Sequence, residues 1–363
     1  MREFGQRTAE AFDVGPELSQ AFRVLSLICA LLVVMIHVPV DLAIPDARLV
    51  SRVFHTGICR IAVPFFFAAG FFLAGSCKGQ GWWRREVLKR CKSLLVPYAV
   101  FGIAYAVVMC GLVLWASNLY DPSHTRAENL AYVANPLNIV GLVPYDRPVL
   151  KLLWFVRGLF VFVILSPVLV WLSRDRFGLG FFLLTALCAF GADLARQMGF
   201  PSCWGEVFDM GMLPLGGLFH FSAGLFMRQH ARVFGFLMSP CGILAGGVLA
   251  VLGLADFGGA MGSALLAVNV GILLFYLGCL SVLAKHPLAL PASLLACAFP
   301  VYMVHRFLLL PIRLVSKVLT GSAKIPWCWH FVTSLVLFGL SVGLVLALRR
   351  IVPRTSKVVF GGR

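Results

Sequence analysis

The sequence predicts an all-α protein, a polytopic transmembrane helix bundle of about ten helices with both termini in the cytoplasm. Hydrophobic residues make up 60% of the 363 residues and charged residues 13%, and the mean hydropathy is +0.91. Soluble domains are about 45–50% apolar and about 25% charged, so the excess apolar surface must face lipid. Helices cross a bilayer economically, because each segment satisfies its own backbone hydrogen bonds. The composition therefore excludes a soluble enzyme.

Apolar runs of about twenty residues, the length that crosses a hydrocarbon core, recur along the chain. They predict ten spans, at residues 22–41, 57–75, 94–116, 150–172, 178–195, 211–227, 234–254, 262–283, 288–314 and 329–350. The first twenty residues hold four acidic side chains and no small-residue cleavage site, so we do not expect a signal peptide. We expect three parts: a cytoplasmic N-terminal segment (1–21), a transmembrane domain (22–352) and a basic cytoplasmic tail (353–363).

Lysines and arginines predict the orientation of the bundle. With the N-terminus in the cytoplasm, the predicted inner segments carry 18 of these residues and the outer segments 7. This asymmetry follows the positive-inside rule, which also explains the formal net charge of +16 without nucleic acid as a partner. The longest polar connection, 117–149, is then expected outside, as a candidate lid or acceptor platform.

Ionisable side chains inside a predicted span are costly to bury, so each is a candidate functional residue. His37, Arg60, Arg157 and His305 fall in the outer halves of four separate predicted spans. We therefore predict that they line one polar chamber that opens outward. A histidine can instead donate a hydrogen bond to a neighbouring backbone carbonyl and simply pack, and for His220 that interpretation is equally good.

Two further arginines have simpler alternatives. Arg306 directly follows His305, so it points to another side of the helix and could extend toward the membrane surface. Arg23 lies at the inner end of the first span. It could anchor that helix to headgroups or bind substrate, and the sequence leaves both open.

These residue types indicate base-assisted group transfer. A neutral imidazole takes a proton from a hydroxyl near pH 7, and a buried guanidinium holds a phosphate, a carboxylate or a developing oxyanion. Carboxylates are scarce in the predicted spans, which disfavours a proton-coupled carrier. The alternative is a transporter or flippase that binds an anionic or lipid-linked sugar without covalent chemistry.

The eleven cysteines show no CxxC motif and no Cys/His spacing typical of zinc, so no metal is expected. Most lie in apolar runs, where a thiol packs as a small hydrophobic group. Cys203 and Cys328 fall in or beside predicted outer loops, and whether they pair is left open.

Five segments resemble, in order, those of the bacterial acyltransferase 3 family, multi-pass membrane O-acyltransferases that modify extracytoplasmic glycans. They are residues 23–37, 60–73, 89–98, 153–167 and 301–305. The resemblance implies an enzyme of the bacterial inner (plasma) membrane. Such an enzyme moves an acyl group, typically acetyl, from acyl-CoA to a hydroxyl of an envelope or exported saccharide, and it carries no bound cofactor.

The resemblance also implies catalytic residues. His37 would be the base, Arg60 would steady negative charge on the reacting carbonyl, and His305 would orient or relay. The family pattern places its first-helix arginine eleven residues before the histidine; here Arg23 precedes His37 by fourteen, and position 26 is Ser. Fourteen residues keep Arg23 within about 40° of the same helix face, about 21 Å from His37 along the axis.

Substrate binding would fall to further residues. Trp154 and Arg157, in the segment 153–167, are assigned to the substrate, as is Arg23. Arg84, Arg85 and Arg90 lie in a basic loop that would meet the CoA phosphates at the inner face. The positive-inside rule explains this loop without a ligand and is the simpler interpretation.

Overall fold

The structure, a computed structural model, describes residues 14–40, 59, 62–116, 124–141, 149–197, 214–255, 263–321 and 324–362. These residues are helical apart from connections and a single β-bridge between Val40 and Ile325. The predicted all-α class is therefore confirmed.

The helices are numbered in chain order, with one π-helical turn, Cys91–Leu95, between α3 and α4. They are α1 (Pro16–His37), α2 (Phe65–Ser76), α3 (Trp82–Arg90), α4 (Val96–Ala116), α5 (Arg126–Ala134), α6 (Pro136–Val140), α7 (Leu153–Leu172), α8 (Asp175–Gln197), α9 (Leu215–Gln229), α10 (Ala231–Leu237), α11 (Pro240–Ala255), α12 (Ser263–Lys285), α13 (Ala292–Leu295), α14 (Ala298–Thr320), α15 (Trp327–Ile351) and α16 (Pro353–Val359).

Five stretches of the described helices are both long and apolar enough to cross a membrane. They are Pro16–His37, Trp82–Trp115, Leu153–Leu172, Ala298–Leu319 and Trp327–Ile351. Three shorter apolar helices, Phe65–Ser76, Phe177–Ala192 and Asn269–Lys285, accompany them. The chain is a membrane protein, and a helix overlaps each of the ten predicted spans. The number of crossings and the cytoplasmic placement of both termini stay predictions.

The ninth predicted span, 288–314, has different bounds in the structure. Residues 286–291 are not helical, α13 is a single turn, and the long helix begins only at Ala298. Pro287 and Pro291 account for the late start, because proline has no N–H to donate and restricts the residue before it. Pro300 lies within the first turn of α14, where no helical N–H bond is lost.

Helices α2 and α9 pack backbone to backbone. A Cβ atom on Gly70 would lie 2.2 Å from the carbonyl oxygen of Phe221, and one on Gly224 would lie 2.1 Å from that of Phe67. Small residues allow such close approach between membrane helices. This pair packs beside α1, where the ring of Phe22 contacts that of Phe71 of α2 in a tilted arrangement, with 5.4 Å between the ring centroids.

Helix α1 is tied at both ends to the C-terminal third of the chain. Near its start the Gln20 side-chain amide donates to the carbonyl of Leu288 at 2.6 Å. Beyond its end the backbone N–H of Ile325 donates to Pro39 at 2.8 Å. Helix α14 lies between these two attachments in the sequence and packs directly against α1. These contacts bring distant segments together at the functional site.

The polar stretch 117–149 is ordered over its described part, 124–141. Thr125 caps α5: its hydroxyl accepts from the Glu128 backbone, while its backbone N–H and hydroxyl donate to the Glu128 carboxylate. These hydrogen bonds, the backbone one first, lower the pKa of Glu128. The predicted C-terminal tail is also folded, since α16 leads to a Phe360 side chain that is buried against Phe101 of α4.

Candidate active site

His37 and His305 are in contact. His37 is the last residue of α1, and His305 lies in the third turn of α14. Nε2 of His305 is 3.4 Å from Nδ1 of His37, and the two ring centroids are 5.1 Å apart. His305 is fully buried, whereas His37 is partly exposed. The structure thus brings together two imidazoles that the sequence separates by 268 residues.

Two backbone carbonyls fix the tautomer of both rings. Nδ1 of His37 lies 2.8 Å from the carbonyl oxygen of Val33, and Nδ1 of His305 lies 3.2 Å from that of Val301. Because a carbonyl oxygen only accepts, each Nδ1 carries the hydrogen and each Nε2 carries the lone pair. His305 Nε2 is therefore a second acceptor for the His37 Nδ1–H. In this arrangement the basic nitrogen of His37 is Nε2.

Tyr302, one turn before His305 on the same helix face, was not singled out by the sequence analysis. Its ring lies 6.3 Å from that of His305 and 5.7 Å from that of Phe155. Its hydroxyl donates to the carbonyl of Leu152, just before α7. Tyr302 thereby fixes the position of α14 against α7. The sequence signal that could have indicated Tyr302 was its position three residues before His305, which places both residues on the same helix face.

Arg60 lies outside the described residues, so its predicted role stays a prediction. Arg157 is described and is buried, but its guanidinium donates to the carbonyl of Gly141, at the end of α6. It therefore holds the 124–141 segment against α7. Trp154 packs on Phe66, with ring centroids 6.1 Å apart. Of the four residues predicted to share one chamber, the structure joins His37 and His305.

His220 matches its packing interpretation. Its Nδ1 lies 2.8 Å from the carbonyl oxygen of Gly216, one turn earlier on α9, and the side chain is fully buried. The packing interpretation predicts such a hydrogen bond between the histidine and a backbone carbonyl of its own helix.

Arg23 lines a cavity of about 260 Å³. The cavity is also lined by Ser26 of α1, by Phe65 of α2 and by residues between the start of α13 and the start of α14, namely Ala292, Leu295, Ala296, Ala298 and Phe299. The Arg23 side chain is exposed. The cavity therefore combines one cation with apolar walls, at the opposite end of α1 from His37.

The family of the chain follows from a comparison over nearly its whole length. A family model described as an acyltransferase domain matches residues 21–348. The chain belongs to the acyltransferase 3 family. It is accordingly a membrane acyltransferase, an enzyme that transfers acyl groups. No curated protein and no solved structure matches the chain.

In this acyltransferase Arg23 and Ser26 lie one turn apart on α1. The resemblance described above implies an arginine at the position of Ser26, and this chain has Arg23 one turn earlier. Both residues line the same cavity. A guanidinium entering from Arg23 therefore reaches the space that position 26 also borders.

The three arginines predicted to meet CoA phosphates have different surroundings. Arg85 donates to the carbonyls of Gln80 and Lys78, at 2.6 and 2.9 Å, and so holds the turn before α3. Arg90 pairs with Glu86 at 3.5 Å. Arg84 is exposed. Of the three arginines, only Arg84 has no hydrogen bond or ion pair with the described residues.

Proposed function

We propose that this acyltransferase moves an acyl group, most simply acetyl, from acyl-CoA to a hydroxyl of an envelope or exported saccharide. The observation that carries the proposal is the contact between His37 and His305. A neutral histidine with a fixed tautomer, partly exposed at the end of a membrane helix, is suited to remove a proton from a hydroxyl. Membership of an acyltransferase family favours the enzyme over a transporter.

The proposed reaction begins with proton transfer to His37. Its Nε2 takes the hydroxyl proton of the saccharide as the hydroxyl oxygen attacks the thioester carbonyl carbon. The C–S bond then breaks, the CoA thiolate takes the proton from His37, and an ester remains on the saccharide. The imidazolium formed in between shares its Nδ1–H with Val33 and with Nε2 of His305, which stabilises the positive charge. Arg60 is proposed to steady the negative carbonyl oxygen.

The cavity at Arg23 is proposed to admit the acyl donor. It lies about 21 Å from His37 along α1, so a donor entering there would extend its acyl-bearing arm along the helix. Its apolar walls suit a flexible thioester arm, and the guanidinium of Arg23 suits an anionic group at the entrance. Trp154, Arg157, Arg84, Arg85 and Arg90 remain proposed contacts of donor or acceptor.

The proposal includes a topology. With ten spans and both termini in the cytoplasm of a bacterial inner membrane, Arg23 faces the cytoplasmic pool of acyl-CoA and His37 faces the exported acceptor. The surplus of lysine and arginine in the predicted inner segments supports this orientation.

The test is turnover of labelled acetyl-CoA by the purified full-length protein. His37→Ala is expected to keep folding and expression and to lower turnover by about 10²–10⁴-fold, the usual contribution of a general base. His230→Ala is the matched control, because His230 also bonds the carbonyl four residues earlier, Phe226 at 2.8 Å, on another helix. Full activity of His37→Ala, or equal loss in both variants, would overturn the assignment.

The acceptor requires a second measurement. Mass spectrometry of surface saccharides from cells with and without the gene is expected to show an acyl ester that depends on the gene and on His37. An unchanged saccharide profile, together with turnover of acyl-CoA in vitro, would contradict the saccharide and leave the acyl transfer standing.

A further inference from the structure

Helix α14 carries two guanidinium groups inside its membrane span. Arg306 and Arg313 are seven residues apart, which places them two turns apart and within about 20° of one helix face. Both side chains are half-buried. Arg306 lies about 12 Å along the axis from Ala298 and about 20 Å from Leu319, the two ends of the span. Anchoring to headgroups from either end therefore does not explain Arg306.

Neither arginine has a hydrogen bond or an ion pair with the residues that the structure describes. The salt bridges found there join Glu86 to Lys89 and Arg90, all three within α3. The buried Arg157, by contrast, donates to a backbone carbonyl. A guanidinium has five N–H donors, and donors left unsatisfied in a membrane are costly. Two such groups, two turns apart on one helix face and paired with none of the described carboxylates, fit an anionic ligand.

The two arginines neighbour helix α4 and an exposed apolar part of α14. Tyr105 of α4 lies near Arg313, and its ring packs edge-on against Phe307 at 5.4 Å. Beyond Arg313, the side chains of Val315, Val318 and Leu319 are widely exposed. The anion site therefore adjoins apolar surface, which suits an amphiphile better than a soluble anion.

We propose that Arg306, Arg313 and Tyr105 bind the phosphate group of a membrane lipid. Guanidinium groups match phosphate geometry through paired N–H donors, and a tyrosine hydroxyl adds one more. The lipid is either a bulk anionic phospholipid or an isoprenoid phosphate of the kind that carries saccharides. Arg306 follows His305 but lies about 100° around the helix from it, so the lipid phosphate would bind on a different face of α14 from the histidine pair. The site goes beyond the proposed function, since binding needs no acyl transfer.

Native mass spectrometry of the full-length protein in uncharged detergent tests the site. The probes are phosphatidylglycerol, an isoprenoid phosphate and diacylglycerol, which has no phosphate. The wild type is expected to bind the first two and not the third. Arg306→Gln with Arg313→Gln is expected to weaken phosphate-lipid binding at least tenfold. Arg350→Gln removes one exposed charge at the end of α15 and is expected to change it less than twofold.

Several results would overturn the proposal. They are unchanged affinity in the double variant, an equal loss in Arg350→Gln, or equal binding of diacylglycerol. If the double variant does not fold, each single substitution decides, with an expected loss of about three- to tenfold and helicity unchanged by circular dichroism. Preference for the isoprenoid phosphate assigns the site to the acceptor's carrier, and preference for phosphatidylglycerol assigns it to bulk lipid. Lipid binding without acyl-CoA turnover would contradict the proposed function alone.

Discussion

The Nδ1–H of His37 points at two acceptors, the carbonyl of Val33 at 2.8 Å and Nε2 of His305 at 3.4 Å. The first acceptor belongs to the same helix and comes with the helical spacing of four residues. The second comes from α14 and depends on the packing of the whole bundle. A base oriented by a second acceptor gains a fixed ring position and a stabilised protonated form, as in hydrolases where another side chain orients the catalytic histidine.

His305 is therefore expected to act as a positioning residue for His37. His305→Ala should lower kcat for acyl transfer by about ten- to a hundredfold, because a hydrogen bond to a charged group contributes about 1.5–3 kcal/mol. The KM values for donor and acceptor should change little. Steady-state kinetics with both substrates varied measures the two effects separately.

Gln at position 305 provides the control, because its amide oxygen can also accept a hydrogen bond. His305→Gln is expected to recover part of the kcat that Ala loses. If both variants keep wild-type kcat, or if both change KM alone, His305 does not act through His37.

Arg23 and Ser26 offer a test of the donor cavity. Arg23→Gln should raise the KM for acyl-CoA about tenfold, since it removes the one cation among the residues that line the cavity. Adding Ser26→Arg returns a guanidinium to the same cavity from the next turn of the helix, at the position that the family pattern uses. The double variant is expected to recover much of the affinity, measured by acyl-CoA titration of purified protein.

Ser26→Arg alone shows whether the cavity tolerates the larger side chain. It should fold and bind acyl-CoA at least as well as Arg23→Gln does. Failure of the double variant to bind better than Arg23→Gln would mean that Arg23 serves the membrane anchor instead of the donor.

The fold class could be predicted because hydropathy acts locally. Each apolar run of about twenty residues contains the information for its own helix, so a helix overlaps every predicted span. The bounds were less certain where backbone chemistry outweighs hydropathy. Residues 288–297 are apolar enough for a span, yet the prolines at 287 and 291 delay the long helix to Ala298.

The candidate site could be predicted only in part, because local sequence patterns do not determine which distant helices contact each other. The cost of burying an ionisable group singled out His37 and His305, and their contact agrees with that argument. The same argument could not show that Arg157 would bond Gly141, since the partner is a backbone carbonyl in a polar segment. Tyr302 was not predicted, because a tyrosine within an apolar run is common and does not by itself indicate a functional role.

Arg349 on α15 is expected to position the wall of the donor cavity. Its guanidinium donates to the carbonyls of Ser293 and Ala296 at 3.2 and 3.1 Å, and so holds α13, which lines the cavity with Arg23. Arg349→Gln should raise the KM for acyl-CoA about three- to tenfold and leave kcat within twofold, because the histidine pair is unaffected. Initial rates over a range of acyl-CoA concentrations measure this.

The neighbouring Arg350 is the matched control, since it has the same charge and is exposed. Arg350→Gln should leave KM unchanged, and Arg349→Lys should restore part of the loss. Equal effects of the two Gln variants would assign the change to membrane-surface charge instead of α13.

The close contact between α2 and α9 predicts that a glycine-to-alanine substitution lowers stability at Gly224 but not at Gly111. Gly224→Ala places a Cβ atom 2.1 Å from the Phe67 carbonyl oxygen and 2.7 Å from the Phe71 nitrogen, so the two helices must separate. Overpacking of this kind costs about 1–3 kcal/mol, and we expect a lower melting temperature by circular dichroism in detergent. Gly111→Ala in α4 meets no atom within 4 Å and should be neutral or stabilising by up to about 1 kcal/mol, because alanine favours the helix. Equal melting temperatures for the two variants would contradict the close approach of α2 and α9.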